Sequence, residues 1–267
     1  MTQPTISSPP PEFIALAHKL ADRVRPIIKA HFRTGLAVEA KGDSSPVTIA
    51  DRKAEEAMRL MITNAFPNHG IRGEEYGSEN SDAEWCWILD PIDGTKSFVS
   101  GSLCFGTQIG LTCNGIPVLG IIDQPVTEER WLGVAGKPTL LNGAPIFTSV
   151  VSDLAHAVIY TSAPEQIAPD QRAAFTALCQ AGNFVRYSHD CYAAGLLALG
   201  TVDVVVEANL YDYDIVPQVA IIEGAGGVVS DWDGNKLDRG PKFKSVVMAA
   251  NSKVHSLVLD ALHSSAG

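Results

Sequence analysis

The sequence predicts a layered α/β fold, with sheets and helices stacked face to face. Three observations predict it. Apolar residues near the start recur at helical spacing, strand-like runs begin at Trp85, and the second half alternates strands with helices. The 267 residues leave ample length for a buried core, in one large domain or two tightly joined halves. With 46% hydrophobic and 19% charged residues, the composition excludes disordered and fibrous classes. A formal net charge of −10 makes nucleic-acid and anionic-membrane surfaces poor partners. It also suits a site that gathers divalent cations, and solubility alone explains it equally well.

The first eleven residues carry no charge and four prolines, and lack the basic start and apolar stretch of a signal peptide. They predict a disordered lead over 1–11. Phe13, Leu16, Ala17, Leu20, Val24, Ile27 and Ile28 then follow the spacing of an amphipathic helix, with Pro26 as a candidate kink. After the polar stretch Lys41–Pro46, Thr48-Ile49-Ala50-Asp51 has the form of a capping box. The helix it opens should bury Ala54, Met58, Met61, Ile62 and Ala65 and stop at Pro67.

Strands are expected at 85–89, 103–111, 117–122 and 131–134, punctuated as in an antiparallel meander. A soft boundary near 145–152 separates an N-terminal half, 12–150, from a C-terminal half, 151–267. In the second half a strand at 157–161 precedes a helix around 170–180. A helix at 191–199 leads to the β-branched strand 202–206. A helix follows Asp214, then strands at 227–230 and 245–249, and a last helix after Asn251.

Five cysteines, odd in number and without a CxxC pair, argue against a disulfide framework or zinc ribbon. They read as small core residues in a reducing, cytoplasmic setting. No apolar run approaches the length of a membrane span.

The chemistry concentrates at Trp87-Ile88-Leu89-Asp90-Pro91-Ile92-Asp93-Gly94-Thr95. An apolar strand ends in one carboxylate, turns at proline, and presents a second three residues on. Mg²⁺ needs hard oxygen ligands, usually a few carboxylates with water and substrate phosphate. Two aspartates on a rigid strand end supply them, and the turn frees carbonyls such as that of Ile92. Gly94 and Thr95 offer N–H groups to a phosphate. A strand that merely ends in an Asp-Pro turn is the plain alternative. Glu74, in Gly73-Glu74-Glu75, is weak evidence alone, because acidic loops are usually just solvated. Asp214, before an apolar helix, could equally be a helix N-cap.

Together these segments resemble the inositol monophosphatase superfamily. The resemblance rests on K-G-D-S-S-P-V-T-I-A-D at 41–51, G-E-E at 73–75, W-I-L-D-P-I-D-G-T-K-S-F at 87–98, the Tyr213-Asp214 pair, and E-G-A-G-G-V-V at 223–229. It implies an αβαβα sandwich, usually a homodimer, with two or three Mg²⁺ ions and inhibition by Li⁺. It assigns Glu74, Asp90 and the carbonyl of Ile92 to one ion, and Asp90, Asp93 and Asp214 to a second. It assigns Thr95 with Asp51 to orienting and deprotonating the nucleophilic water, and groups Glu74 with them as catalytic.

Finer features look like the histidinol-phosphate phosphatase branch: Asp190-Cys191-Tyr192-Ala193, the 202–207 strand, Ile122-Asp123-Gln124-Pro125, Glu129-Arg130-Trp131 and Asp231-Trp232. There the resemblance makes Asp190 and Glu207, with Asp93 and Asp214, contacts for substrate. Two carboxylates suit the ammonium and imidazole of histidinol phosphate better than a neutral polyol. Asp190 as a helix N-cap and Glu207 as a solvated strand end are the plain alternatives. Rival readings are an inositol-1-phosphatase, a broad-specificity small phosphate monoesterase, and a non-catalytic regulator on the same fold. The K-S-F ending of the motif departs from the T-N-F usual in inositol enzymes. The D-P-I-D-G-T form departs from the D-P-L-D-G-S of fructose bisphosphatases.

Overall fold

The computed structural model describes residues 8–35, 39–40, 46–237 and 240–264. The long helices α1 (Pro11–His31) and α2 (Ile49–Ala65) are joined through a ribbon of β1 (Glu39–Ala40) and β2 (Pro46–Val47). Then come β3 (Gly70–Gly73), β4 (Gly77–Glu79), β5 (Trp85–Asp93), the short α3 (Thr95–Ser100), β6 (Gly106–Cys113), β7 (Ile116–Gln124), β8 (Glu129–Val134), β9 (Leu140–Leu141) and β10 (Ala144–Pro145). The second half holds β11 (Val158–Thr161), α4 (Arg172–Ala181), β12 (Phe184–Tyr187), α5 (Asp190–Ala198), β13 (Val204–Tyr211), α6 (Asp212–Gly224), β14 (Val228–Ser230), β15 (Lys242–Ala249) and α7 (Ser252–Ser264).

Strands β3–β10 form one eight-stranded sheet, ordered β10-β9-β8-β7-β6-β5-β3-β4. Its β5–β8 portion is the expected antiparallel meander, while β3 joins β5 in parallel. The second sheet runs β12-β11-β13-β15-β14 and is also mixed. Alternation along β13 sets the layering. Val204, Val206 and Ala208 pack with Phe175, Leu178 and Val258 of α4 and α7, whereas Val205 packs with Ala194 and Ile222 of α5 and α6. Helices α1 and α2 bury Leu20, Val24, Ala54 and Met58 against Trp87 and Leu89 on the outer face of the first sheet. The order is helix, sheet, helix, sheet, helix: an αβαβα sandwich.

One row of glycines fixes how α6 lies between the sheets. Gly110, Gly120 and Gly133 are direct cross-strand partners on β6, β7 and β8. A Cβ on Gly120 would fall 1.7 Å from the carbonyl oxygen of Pro217, and one on Gly133 would fall 2.3 Å from the Ile221 nitrogen. The helix backbone therefore rests directly on the sheet backbone, and any side chain in this row would lift it.

Several expectations are corrected. The disordered lead expected over 1–11 does not reach Pro11: Pro9 is buried and α1 opens at Pro11, where proline lacks only an N–H that would go unused at the first helical turn. Residues 1–7, and the 41–45 part of the polar stretch that carries the resemblance, lie outside the described residues. Pro26 lies inside a helix that continues to His31. The capping box at Thr48 is present, but Ala65 is exposed. Residues 103–105 turn instead of extending, with Phe105 N–H donating to Leu103 O. The 202–206 strand runs on to Tyr211 because β15 pairs with it all the way. Strands β3, β4 and β12 were not expected: each is four residues or fewer, too short for a periodic signal. All five cysteines are free thiols, although only Cys86 and Cys191 are fully buried. Among the described residues no helix is long and apolar enough to cross a membrane.

Candidate active site

The site lies where β5 ends. Asp90 pairs with Gln108 and Asp93 with Gly106, so β5 carries one residue more than β6 over this stretch. That bulge turns the chain so that Asp90 and Asp93 both reach the same space. Asp90 is 1% exposed, and its Oδ1 accepts a 3.1 Å hydrogen bond from Ile92 N–H. The Ile92 carbonyl in turn accepts the Thr95 hydroxyl at 3.1 Å. Gly94 closes the turn at φ +85°, and a Cβ there would lie 2.8 Å from Asp190 Oδ2. Glycine is required on both counts.

Three further elements converge here. Gly73 pairs with Leu89, and Glu74 N–H donates to Leu89 O at 3.2 Å, which brings Glu74 level with Asp90. Asp214 sits at the third position of α6, where its carboxylate accepts the Tyr211 N–H at 2.7 Å and completes a capping box. Asp214 is thus not the N-cap itself. Carboxylate oxygens of Asp90, Asp93 and Asp214 lie within 4.8 Å of one another. Burial first, then the surrounding carboxylates, holds Asp90 and Asp214 well above the usual carboxylate range. Burial, then Asp190, pushes Asp93 up to about 8.

Asp51 is fully buried near this group, and burial raises it to about 6. Its Oδ2 accepts the Thr48 N–H and hydroxyl at 2.8 and 2.6 Å, while Oδ1 is buried without a partner. No hydrogen bond joins Asp51 to Thr95: the Thr95 proton goes to Ile92 O, the acceptor nearest along the turn.

Asp190 and Glu207 do meet. Ser162 bridges them, donating its hydroxyl and its N–H to Glu207 Oε1, both at 2.8 Å, and accepting the Asp190 N–H at 3.0 Å. Glu207 is no solvated strand end. It lies within β13, 5% exposed, on the same face as Val205, and burial raises it to about 8. Asp190 is the first residue of α5, not its cap; it sits at φ +46°, accepts the Ser97 hydroxyl at 3.3 Å, and is raised by burial to about 6. A cleft of about 250 Å³ opens over the cluster, walled by Glu74, Asp93, Thr95, Asp190, Tyr213 and Asp214 with Lys96 at its edge.

Residues 10–266 match the inositol monophosphatase family. The chain belongs to that family. It is 41% identical over 258 residues to bifunctional phosphatase IMPL2, chloroplastic, of Arabidopsis thaliana, with 94% of this chain and 75% of that protein covered. It is 34% identical over 225 residues to a histidinol-phosphatase of Chlorobaculum parvum, covering 84% of this chain and 87% of that protein. An inositol monophosphatase from Zymomonas mobilis, solved as a structure, shares the fold at a TM-score of 0.86 and 41% identity, covering 94% of this chain and 98% of that one.

For a phosphatase of this family, the donors fit a hard divalent cation. All are oxygens, three carboxylates are crowded together, and Asp51 keeps a buried oxygen unsatisfied. Like-charged carboxylates this close favour protonation until a cation joins them.

Some supporting residues escaped the sequence reading. Glu55 accepts N–H bonds from Glu75 and Tyr76 at 2.7 and 3.2 Å, and so fixes the loop after Glu74. It lies against Gly73, where a Cβ would come 2.1 Å from Glu55 Oε1. Gln108 and Gln218 both donate to Asp214 O, at 2.9 and 2.6 Å. Only the buried placement of these polar side chains on an apolar helix or strand could have hinted at them.

Proposed function

We propose that this phosphatase is a Mg²⁺-dependent phosphomonoesterase that hydrolyses L-histidinol phosphate to L-histidinol and phosphate, a step of histidine biosynthesis. The observation that carries the substrate is the Ser162-bridged pair of Asp190 and Glu207 beside Asp93. A cationic leaving group beside the buried Glu207 and half-buried Asp190 would draw both carboxyl groups into their ionised form and donate charge-assisted hydrogen bonds to them. The name of the Chlorobaculum parvum relative agrees with this reading.

Glu74, Asp90, Asp93, Asp214 and the Ile92 carbonyl would hold the Mg²⁺ ions. Bound Mg²⁺ neutralises the phosphate dianion and polarises its oxygens. The protein's own groups do the rest. The Thr95 hydroxyl, which donates to Ile92 O, would turn its lone pairs to a water, and the partnerless Oδ1 of Asp51 would take that water's proton. With Asp51 raised only to about 6, it is ionised at neutral pH. Gly94 and Thr95 N–H groups face the phosphate. Inhibition by Li⁺, a homodimeric state and a cytoplasmic setting belong to the same reading.

A second reading is inositol-1-phosphatase or broad specificity. Ser97, Ser162, Ser188, Asn209 and Gln166 line the same cleft, and hydroxyls and amides suit a neutral polyol. One experiment separates them: phosphate release from histidinol phosphate, inositol 1-phosphate and adenosine 3′,5′-bisphosphate, with Mg²⁺ and with EDTA. Preference for histidinol phosphate, abolished by EDTA, is the expected result. Preference for inositol 1-phosphate would overturn the substrate, and no release from any ester would leave a non-catalytic regulator.

A further inference from the structure

Arg72, one residue before the Gly73-Glu74 turn, forms an ion pair with Asp212, 140 positions later in the chain. The Asp212 side chain is 4% exposed and that of Arg72 is 29% exposed, so water screens the pair only in part. The pair spans the same two elements as the cluster above it. Arg72 stands opposite Ile88 on the β3–β5 ladder, two residues before the level where Glu74 comes beside Asp90. Asp212 and Asp214 are the first and third residues of α6. Between the two levels Tyr213 packs on the buried cluster of Cys86, Ile88 and Val216. The β3 segment and Glu74 just past its end therefore face α6 at two levels, about 6–7 Å apart along the chain: once through the Arg72–Asp212 ion pair, once through the carboxyl groups of Glu74 and Asp214.

Carboxyl groups this crowded do not hold one another in place: they attract neither as ions nor strongly as neutral acids, so the spacing of the cluster must be set by other contacts. Asp214 faces Asp90 and Asp93, with Glu74 beside it. The middle of α6 cannot yield, because Pro217 and Ile221 rest on Gly120 and Gly133. At the first turn of α6, Gln108 holds the Asp214 carbonyl and Tyr213 packs on the cluster below, and the Arg72–Asp212 pair adds a direct side-chain tie to β3.

We propose that Arg72 and Asp212 are positioning residues: they hold the first turn of α6 against β3, and so set the separation of Glu74 and Asp214 across Asp90 before a cation binds. The proposal rests on the reading of those carboxylates as metal ligands. The pair preorganises the site, so its loss weakens cation binding more than it slows turnover once the cation is bound. Partners that orient metal ligands from behind typically contribute about 10–100-fold in metal affinity.

The test uses Mn²⁺ binding, read by electron paramagnetic resonance of the free ion, alongside phosphate release at varied Mg²⁺. Arg72→Met should bind Mn²⁺ at least about 10-fold more weakly than wild type. The Mg²⁺ concentration for half-maximal turnover should rise in step, with kcat at saturation close to wild type. Arg72→Lys should recover much of the affinity. Asp212→Asn, nearly isosteric, serves if Arg72→Met does not fold. The double variant should bind no more weakly than the worse single variant, the signature of one shared interaction. Wild-type Mn²⁺ affinity in a folded Arg72→Met or Asp212→Asn protein overturns the proposal, as does a loss confined to kcat. A wild-type protein that binds no Mn²⁺ overturns the metal reading first, and this proposal with it.

Discussion

The backbone N–H of Cys191 donates a 2.5 Å hydrogen bond to the carboxylate of Asp93. It ties the bulged end of β5 to the first turn of α5, residues 98 apart in the chain. One oxygen of Asp93 is thereby committed to the second half of the protein, and the other is left to face Asp90 and Asp214. The site is a joint between two sheets, and changes on either side of it should register in function.

Asp90 lies at the centre of the carboxylate group. Asp90→Asn should remove most phosphatase activity. The metal-free variant should melt no lower than the metal-free wild type, because one repelling charge is gone from a buried cluster. Circular dichroism melts with phosphate release test this, and near-wild-type turnover in a folded variant would sink the role.

Raised carboxyl groups also set a pH dependence. Burial lifts Asp93 and Glu207 to about 8 from the ordinary carboxylate range of about 4, and Asp51 and Asp190 to about 6. The folded state holds protons that the unfolded chain has released across this window. Stability from these groups is complete below about pH 4 and is lost as pH rises through about 6 and then about 8. The melting temperature of EDTA-treated protein should fall over that range, and added Mg²⁺ should flatten the fall. A metal-free melting temperature that climbs from pH 5 to 8 would contradict the assignment.

Glu207→Gln keeps the Ser162 contact and removes the charge. It should lower kcat/KM for histidinol phosphate by about 10–150-fold, the worth of a hydrogen bond to a charged group. Hydrolysis of a neutral aryl phosphate should change little. Equal losses on both substrates would make Glu207 a support of the site and not a recognition residue.

Gly120→Ala places a methyl group against the Pro217 carbonyl. Overpacking a well-packed interior typically costs about 1–3 kcal/mol, and a rigid helix backbone as the obstacle puts this case at the upper end. Urea denaturation should show it as a lower midpoint with an unchanged slope. Activity should fall too, since lifting α6 moves Asp214. An unchanged midpoint would mean that the helix and sheet part easily.

Much of this protein was legible in its sequence because the signals are local. Helical periodicity places α1 and α2, the capping box places the start of α2 at Thr48, and the meander is written in alternating runs broken by turn residues. Asp90 and Asp93 were legible because both lie on one strand end, within a few residues of a glycine that must adopt positive φ. Short strands β3, β4 and β12 were not, because they exist only through pairing with strands far away or around a turn.

The same division runs through the site. Sequence alone named the candidate residues: carboxylates in a fixed pattern, a Gly-Thr turn, and acids ahead of an apolar helix. Only the tertiary structure decided what each faces. It buried Glu207 within β13 and joined it to Asp190 through Ser162. It gave the Thr95 proton to Ile92 instead of Asp51, and it paired Arg72 with Asp212. The physical reason is range. Backbone propensity and turn chemistry act over a few residues, whereas burial and charge act between groups brought together by packing, here by a helix seated on three glycines.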